Sequence, residues 1–329
     1  MNARAGADDA SIARAVDRLR AGGLVAFPTE TVYGLGADAR DEHAVRRVFE
    51  AKGRPARNPL IVHVDSEAMA RSIAGAWPPG ASALARRFWP GPLTIVVPRG
   101  PTVPLIVTGG GETVALRCPD HPVALALIRA FGGPIVGPSA NPSGAVSPTT
   151  SARVRGAFPA DQVLVLEGGP CRAGIESTVV SLVDRPARVL RRGAIAPEDI
   201  AAALGGAVDE GPAPVPCPES PLPAPGLLDR HYAPRAPARL VEPGGLHALL
   251  GAHRGATVVV LTRDGSLVVA PPHRVIRMPP DAPGYAARLY EALHEADDLR
   301  PALIAIQRPD DQGPLWDAVR DRLRRATTH

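Results

Sequence analysis

The sequence predicts an α/β protein made of two unequal units with a proline-rich segment between them. Three observations carry this. Short apolar runs alternate with stretches of helical period along the first two thirds of the 329 residues, the pattern of layered sheets and helices. Prolines then crowd residues 212–225, and both periodicities vanish, which marks an extended, semi-rigid connector. Beyond it a shorter alternation of strands and helices resumes. The expected boundaries are residues 1–206, a linker at 207–236, and a small C-terminal α/β unit at 237–329.

Each element has its own signal. Residues 11–19 place Ile12, Ala15, Val16 and Leu19 at helical spacing, and Gly22 and Gly23 stop the run. Residues 24–27 read as a short buried strand. Residues 41–51 form a second helix that Gly53 ends, with Lys52, Arg54 and Arg57 in the loop just past it. Strands follow at 60–64, 93–97, 113–117, 134–136, 163–166, 178–183 and 188–191, and helices at 66–76, 80–88, 121–131 and 197–204. In the second unit the strands are 239–241, 257–261, 274–277 and 302–306, and the helices are 246–251, 285–296 and 315–325.

Composition excludes several classes. Cys118, Cys171 and Cys217 are isolated, so neither a zinc ribbon nor a disulfide scaffold is expected. No run approaches the ~18 apolar residues that span a bilayer, and residues 1–10 do not read as a signal peptide. A cytoplasmic protein without membrane contact is the expectation. There is no Gly-x4-Gly-Lys-Ser/Thr loop and no HExxH helix. The net charge of +4 permits phosphate or tRNA contact without demanding it.

Lys52 stands out: of the 37 basic side chains it is the one lysine, and the rest are arginine. A compact ammonium kept against that bias points to a place where the planar guanidinium fork does not substitute, such as a phosphate-facing site. Four polar, glycine-bounded loops add to this, at 28–36, 109–113, 137–144 and 174–178, each read as following a strand. Gly34 and Gly36 there would let backbone approach a ligand closely or take positive φ. Ser139, Asn141, Ser143 and Ser147 are suited to phosphate or ribose. With Lys52, Arg54 and Arg117 they predict an anionic-ligand site at the mouth of the sheet. His63, ending an apolar strand, reads as a ligand contact, and His121, just before Pro122, as a helix cap. Glu30 and Glu176 are candidates for a magnesium ligand or a base.

At this point the motifs resemble a known family. Pro-Thr-Glu-Thr-Val-Tyr-Gly-Leu-Gly (28–36), Lys-Gly-Arg-Pro-x-x-Asn-Pro-Leu (52–60), Trp-Pro-Gly-Pro-Leu-Thr (89–94), Thr-Val-Ala-Leu-Arg-Cys-Pro (113–119), Pro-Ser-Ala-Asn-Pro-Ser-Gly (138–144) and Gly-Ile-Glu-Ser-Thr-Val-Val (174–180) are similar to the YrdC-like threonylcarbamoyl-AMP synthases. Pro-Gly…Arg-His-Tyr-Ala-Pro (225–234) is similar to their two-domain branch.

The resemblance implies a twisted mixed-sheet domain with an open cleft and a small Rossmann-like C-terminal domain. It implies that L-threonine, bicarbonate or CO2, and ATP with Mg2+ give L-threonylcarbamoyl-AMP and pyrophosphate, for a transferase that modifies the adenosine beside the anticodon of certain tRNAs. Threonine would meet Thr31, His63, Arg117, Gly137 and Ser177. ATP would meet Lys52, Arg54, Asn58, Thr113, Ser139, Asn141, Ser147, Arg191 and Tyr232, with Lys52 and Arg54 catalytic. Arg192 stands where the family has proline, Ser181 replaces an aspartate and Ala224 a serine. Residues 225–234, with Arg230, His231 and Tyr232, are expected to close over the cleft as a lid. Two other readings compete: a carbamoyl-adenylate former of the hydrogenase-maturation type, which the isolated cysteines disfavour, and a double-stranded RNA or tRNA binder without catalysis.

Overall fold

A computed structural model describes residues 7–210, 221–226 and 231–328. Cys217 and Arg230 lie outside the described residues. The first unit contains, in order, α1 (Asp9–Arg20), β1 (Leu24–Phe27), β2 (Gly34–Asp38), α2 (Glu42–Lys52), β3 (Ile61–His63), α3 (Glu67–Ile73), α4 (Pro79–Phe88), β4 (Leu93–Pro98), β5 (Thr113–Arg117), α5 (Pro122–Phe131), β6 (Ile135–Val136), α6 (Ser151–Ala157), β7 (Val163–Val165), β8 (Thr178–Ser181), β9 (Ala187–Arg191), α7 (Pro197–Leu204) and β10 (Val208–Asp209). The local causes are those the sequence advertises. Asp8 caps α1 by accepting the Ser11 N–H at 2.8 Å. Gly53 ends α2 in the left-handed region, at φ 58°. His121 caps α5 through its ring nitrogen, which accepts from Val123 at 3.2 Å.

The strands form one mixed sheet in the order β10-β9-β8-β4-β5-β3-β6-β2-β1-β7. β3 and β5 run parallel with His63 opposite Arg117. β4 runs antiparallel to β5 and parallel to β8. The start of β8 therefore reaches the same edge as the carboxyl end of β5. The 174–178 loop leads into its strand rather than following it, yet arrives at the site edge because β8 is reversed.

Three readings of the sequence are corrected here. Gly34 and Gly36 lie inside β2, neither with positive φ. A Cβ on Gly34 would come within 3.0 Å of the Phe27 ring, and one on Gly36 within 3.0 Å of Phe27, Ile135 and the Val25 carbonyl. Packing against Phe27, not ligand approach, excludes a side chain there. Lys52 is the last residue of α2, buried at 3% exposure, and not part of the following loop. Strand β2, helix α6 and strand β10 were not foreseen, β2 because its glycines read as a loop and β10 because it falls where proline-rich composition begins.

The second unit is a four-stranded parallel sheet in the order β11-β14-β12-β13, from β11 (Ala238–Val241), β12 (Val258–Thr262), β13 (Arg274–Arg277) and β14 (Leu303–Gln307). Helices α8 (Leu246–Ala252), α9 (Ala282–Asp298) and α10 (Pro314–Ala326) complete it. The two units share an apolar cluster: Val32, Val146 and Ile175 of the first pack with Tyr232, Tyr285, Leu289 and Tyr290. Gly174, at φ 69°, has no room for a Cβ, which would lie 2.4 Å from the Ala286 carbonyl of α9. No helix among the described residues is long and apolar enough to cross a membrane.

Candidate active site

A cavity of about 40 Å³ sits at the sheet edge where β3, β5 and the residues before β8 meet. One wall carries Thr31, His63, Arg117 and Gly137; the other carries Arg54, Ser139, Glu176, Arg191 and Tyr232. Small-molecule sites usually measure ~300–1,000 Å³, so the free space at this point of the cleft is narrow. The reason is the connector. Leu222 donates its N–H to the Arg57 carbonyl at 3.1 Å, and fully buried Ala224 packs on Ile61, Val96, Ala115 and Val179 across the sheet face. Pro225 accepts from Arg191 at 3.1 Å. The chain re-enters at His231 and Tyr232, and Ala233 donates to the Gly144 carbonyl at 2.8 Å.

The Arg117 wall is built from a buried ion pair. Arg117 Nη2 lies 2.7 Å from Glu30 Oε2, although its N–H is not aligned on that oxygen, and Nη1 donates to Thr31 Oγ1 at 2.8 Å. Glu30 Oε2 also accepts the Asp120 N–H at 3.1 Å. His63 is 2% exposed with Nδ1 unpartnered, its ring edge-on to Phe27 at 5.4 Å. Burial, reinforced by Arg117, drives its pKa well below the ordinary value, so it is neutral. Gly137 is bare of necessity: a Cβ would sit 2.7 Å from His63 Nδ1.

The other wall gathers cations beside one carboxylate, Glu176, which is itself bonded from the second unit. Arg54 donates to the Asn58 carbonyl and Oδ1 and to the Pro59 carbonyl, at 2.7–3.0 Å. Arg191 donates to the Ser177 and Pro225 carbonyls. Lys52 Nζ, behind the wall, donates to the Ser139 carbonyl at 2.6 Å and the Asn141 carbonyl at 2.5 Å. Among the described residues, all three buried cations hydrogen-bond only neutral oxygens. Burial, with Arg54 adding repulsion, pushes the Lys52 pKa well down, and burial brings Arg54 to about 9. Such a set is costly unless an anion joins it.

Several predicted residues are held away from the cavity. Ser147 is fully buried and donates to Glu176 Oε1 at 2.8 Å. Ser177 Oγ lies 2.8 Å from Thr94 Oγ1, beneath the wall. Asn141 Nδ2 donates to the Pro142 and Ala145 carbonyls, and Asn58 Nδ2 is buried without a partner. Thr113 opens β5 and Arg117 closes it, which separates them by ~13 Å at strand rise; Thr113 does not line the cavity. Arg191 faces the cavity, while Arg192 turns out to Glu210 and Asp317 at 2.7 and 2.5 Å.

Sequence reasoning also missed partners. Glu176, a candidate base or metal ligand, is already committed. Its Oε2 accepts from Tyr290 at 2.7 Å and from Arg322 at 3.0 Å, both in the second unit. Glu30 is likewise taken by Arg117. Among the described residues no group of three or more His, Cys, Asp or Glu side chains could hold a metal ion. Neither Tyr290 nor Arg322 has a local signal, since α9 and α10 read simply as amphipathic helices.

A mixed α/β sheet whose edge gathers buried cations beside an arginine–hydroxyl–imidazole pocket suits an enzyme that handles small anionic substrates. Comparison with known proteins narrows this. Residues 17–193 match the Sua5/YciO/YrdC family model, described as "Telomere recombination", and residues 195–328 match "Threonylcarbamoyl-AMP synthase, C-terminal domain". The threonylcarbamoyl-AMP synthase of Bacillus subtilis is 41% identical over 97% of this chain and 93% of its own. That of Pyrococcus abyssi is 46% identical over 74% of this chain and 71% of its own. The crystal structure of P. abyssi Sua5 complexed with L-threonine superposes with a TM-score of 0.87 at 39% identity, covering 96% of this chain and 94% of that one. The chain belongs to the Sua5 threonylcarbamoyl-AMP synthases, the two-domain members of the Sua5/YciO/YrdC family.

Proposed function

We propose that this protein condenses L-threonine, bicarbonate or CO2, and ATP into L-threonylcarbamoyl-AMP and pyrophosphate, in the cytoplasm. A separate tRNA-threonylcarbamoyl transferase then moves the group to the adenosine beside the anticodon. Family membership supports the reaction. The observation that carries its assignment to this cavity is the set of three buried cations bonded only to neutral oxygens, beside the pocket of Thr31, His63 and Arg117.

In this reading the threonine carboxylate lies against Arg117, and the neutral His63 ring offers Nδ1 to the amine or hydroxyl. Gly137 completes that pocket, and Ser177 braces it from beneath the wall. The amine adds to CO2 and loses a proton, giving a carbamate. A carbamate oxygen attacks the α-phosphorus, the bond from that phosphorus to the bridging oxygen breaks, and pyrophosphate leaves with the electron pair. Arg54 and Lys52 offset charge that grows on the leaving group, and holding carbamate and phosphate in line supplies the orientation term. Arg191, Ser139 and Tyr232 flank the nucleotide, with Asn58, Asn141, Ser147 and Thr113 reached only when the connector lifts. Magnesium enters as the ion that ATP carries; Glu30 and Glu176 are committed elsewhere, and no step is routed through a metal on this chain. The strap of residues 221–226 and 231–233 acts as the lid: it lifts to admit ATP and closes to keep water from the mixed anhydride.

Incubation with ATP, bicarbonate and labelled threonine, followed by chromatography, tests the proposal. One labelled AMP adduct per pyrophosphate, dependent on all three substrates, is expected. Pyrophosphate release that ignores threonine would sink it.

A further inference from the structure

Two side chains of the second unit, Tyr290 and Arg322, meet on one carboxylate of the first. Glu176 is 8% exposed and lies on the wall of the cavity that holds Arg54 and Arg191. A lone buried carboxylate there would repel a triphosphate. Its charge is met from behind. Arg322 of α10, 1% exposed, donates Nε to Glu176 Oε2 at 3.0 Å and Nη2 to the Arg192 carbonyl at 2.9 Å. Arg322 also donates Nη1 to Asp321 at 3.1 Å, a carboxylate shared with Arg324 and Arg325 at 3.1 and 3.0 Å. The same guanidinium stands 5.6 Å over the Tyr232 ring, which stacks at 5.4 Å on Tyr290, the second donor to Glu176. One arginine thus contacts the wall carboxylate and the lid aromatic together.

We propose that Arg322 is a positioning residue for the nucleotide: it neutralises Glu176 at the cavity wall and seats Tyr232, so the C-terminal unit completes the electrostatics of a site made mostly by the first unit. The inference rests on the cavity being the ATP site. Two consequences separate it from simple interface packing. Loss of Arg322 weakens ATP while leaving threonine in place, because among the described residues no hydrogen bond or ion pair joins Thr31, His63 or Arg117 to α10. Removing the Glu176 charge then makes Arg322 largely dispensable, since no uncompensated carboxylate remains.

The experiment uses the full chain. Adduct formation by the unaltered protein is measured first; if it forms none, the underlying reading and this inference fall together. In Arg322→Met the KM for ATP should rise about tenfold, with threonine affinity by calorimetric titration within about twofold. Glu176→Gln keeps side-chain hydrogen bonds to Tyr290 and Ser147, and adding it to Arg322→Met should restore the ATP KM to that of Glu176→Gln alone. Equal losses for threonine and ATP in Arg322→Met, or a double variant still weakened about tenfold relative to Glu176→Gln, would overturn the proposal while adduct formation by the unaltered chain leaves the cavity assignment standing. Should Arg322→Met not fold, the comparison of the double variant with Glu176→Gln decides alone.

Discussion

Lys52 changes meaning between sequence and structure. Its uniqueness pointed to phosphate, and its ammonium instead spans two carbonyls of the 138–144 loop. One compact Nζ serves both carbonyls from the end of α2, which gives lysine a reason in hydrogen-bond geometry as well as in charge. Lys52→Ala should lower pyrophosphate release by about 10²–10³, and Lys52→Arg should also be impaired; near-normal turnover in the arginine variant would remove the geometric argument. Arg117 carries a different risk, because Glu30 depends on it. Arg117→Ala should cost about 3–5 kcal/mol of stability, the usual result of stranding a buried charge, and weaken threonine binding far more than ATP binding. Parallel titrations decide, and equal losses would reassign Arg117 to phosphate.

The buried imidazoles set a pH dependence. Burial lowers His231 to about 3, with Glu176 opposing and Arg54 assisting, and burial with Arg117 also lowers His63 well below its ordinary value. Their folded pKa values lie below the unfolded ~6.5. Below that pH the unfolded chain gains protons that the folded chain refuses, so stability present at neutral pH is lost as pH falls. Each such group contributes a slope of about 1.4 kcal/mol per pH unit until its folded pKa is reached. The thermal midpoint should drop between pH 7 and pH 5, and His231→Phe should reduce that drop. An unchanged drop would assign the acid sensitivity to other groups.

At the scale of elements, the site depends on what the sheet forbids. The short step from β6 into Gly137 brings backbone against the His63 ring, and Phe27 blocks the ring from retreating. Gly137→Ala should displace His63, cost about 1–3 kcal/mol as overpacking does, and raise the threonine KM. A variant that melts lower but binds threonine normally would show that the ring can yield. The glycine–hydroxyl loops were legible because turn chemistry is local. Which loop reached the cavity was not, since the reversal of β8 and the far end of β5 follow from strand order.

At the scale of the molecule, the connector is the element whose character the sequence announced and whose path it hid. Proline content predicted an extended segment, and the aromatic–imidazole pair predicted more than a spacer. Closure over the sheet face, with Ala224 fully buried, is a tertiary fact. Tyr232→Ala should loosen the strap, so that ATP is consumed with less adduct formed per pyrophosphate; full coupling in that variant would sink the lid. Because Lys52, Arg54 and Arg191 bond no carboxylate among the described residues, pyrophosphate alone should also raise the thermal midpoint. No shift at millimolar pyrophosphate would mean that the cations are sealed off even from a small anion.

The sequence by itself determined the fold class, the position of almost every helix and strand, the family, and the residue types at the cavity. These follow from short-range causes: side-chain period, caps, glycine stops and contiguous polar motifs. The tertiary structure alone decided that Arg191 rather than Arg192 faces the cavity, that Ser147 and Ser177 are held beneath its wall, that Thr113 lies a strand's length away, and that Glu176 is bound to Arg322 across 146 positions of chain. A partner that distant leaves no local pattern. It is selected by the packing of one unit on another and by the demand that a buried charge meet its opposite.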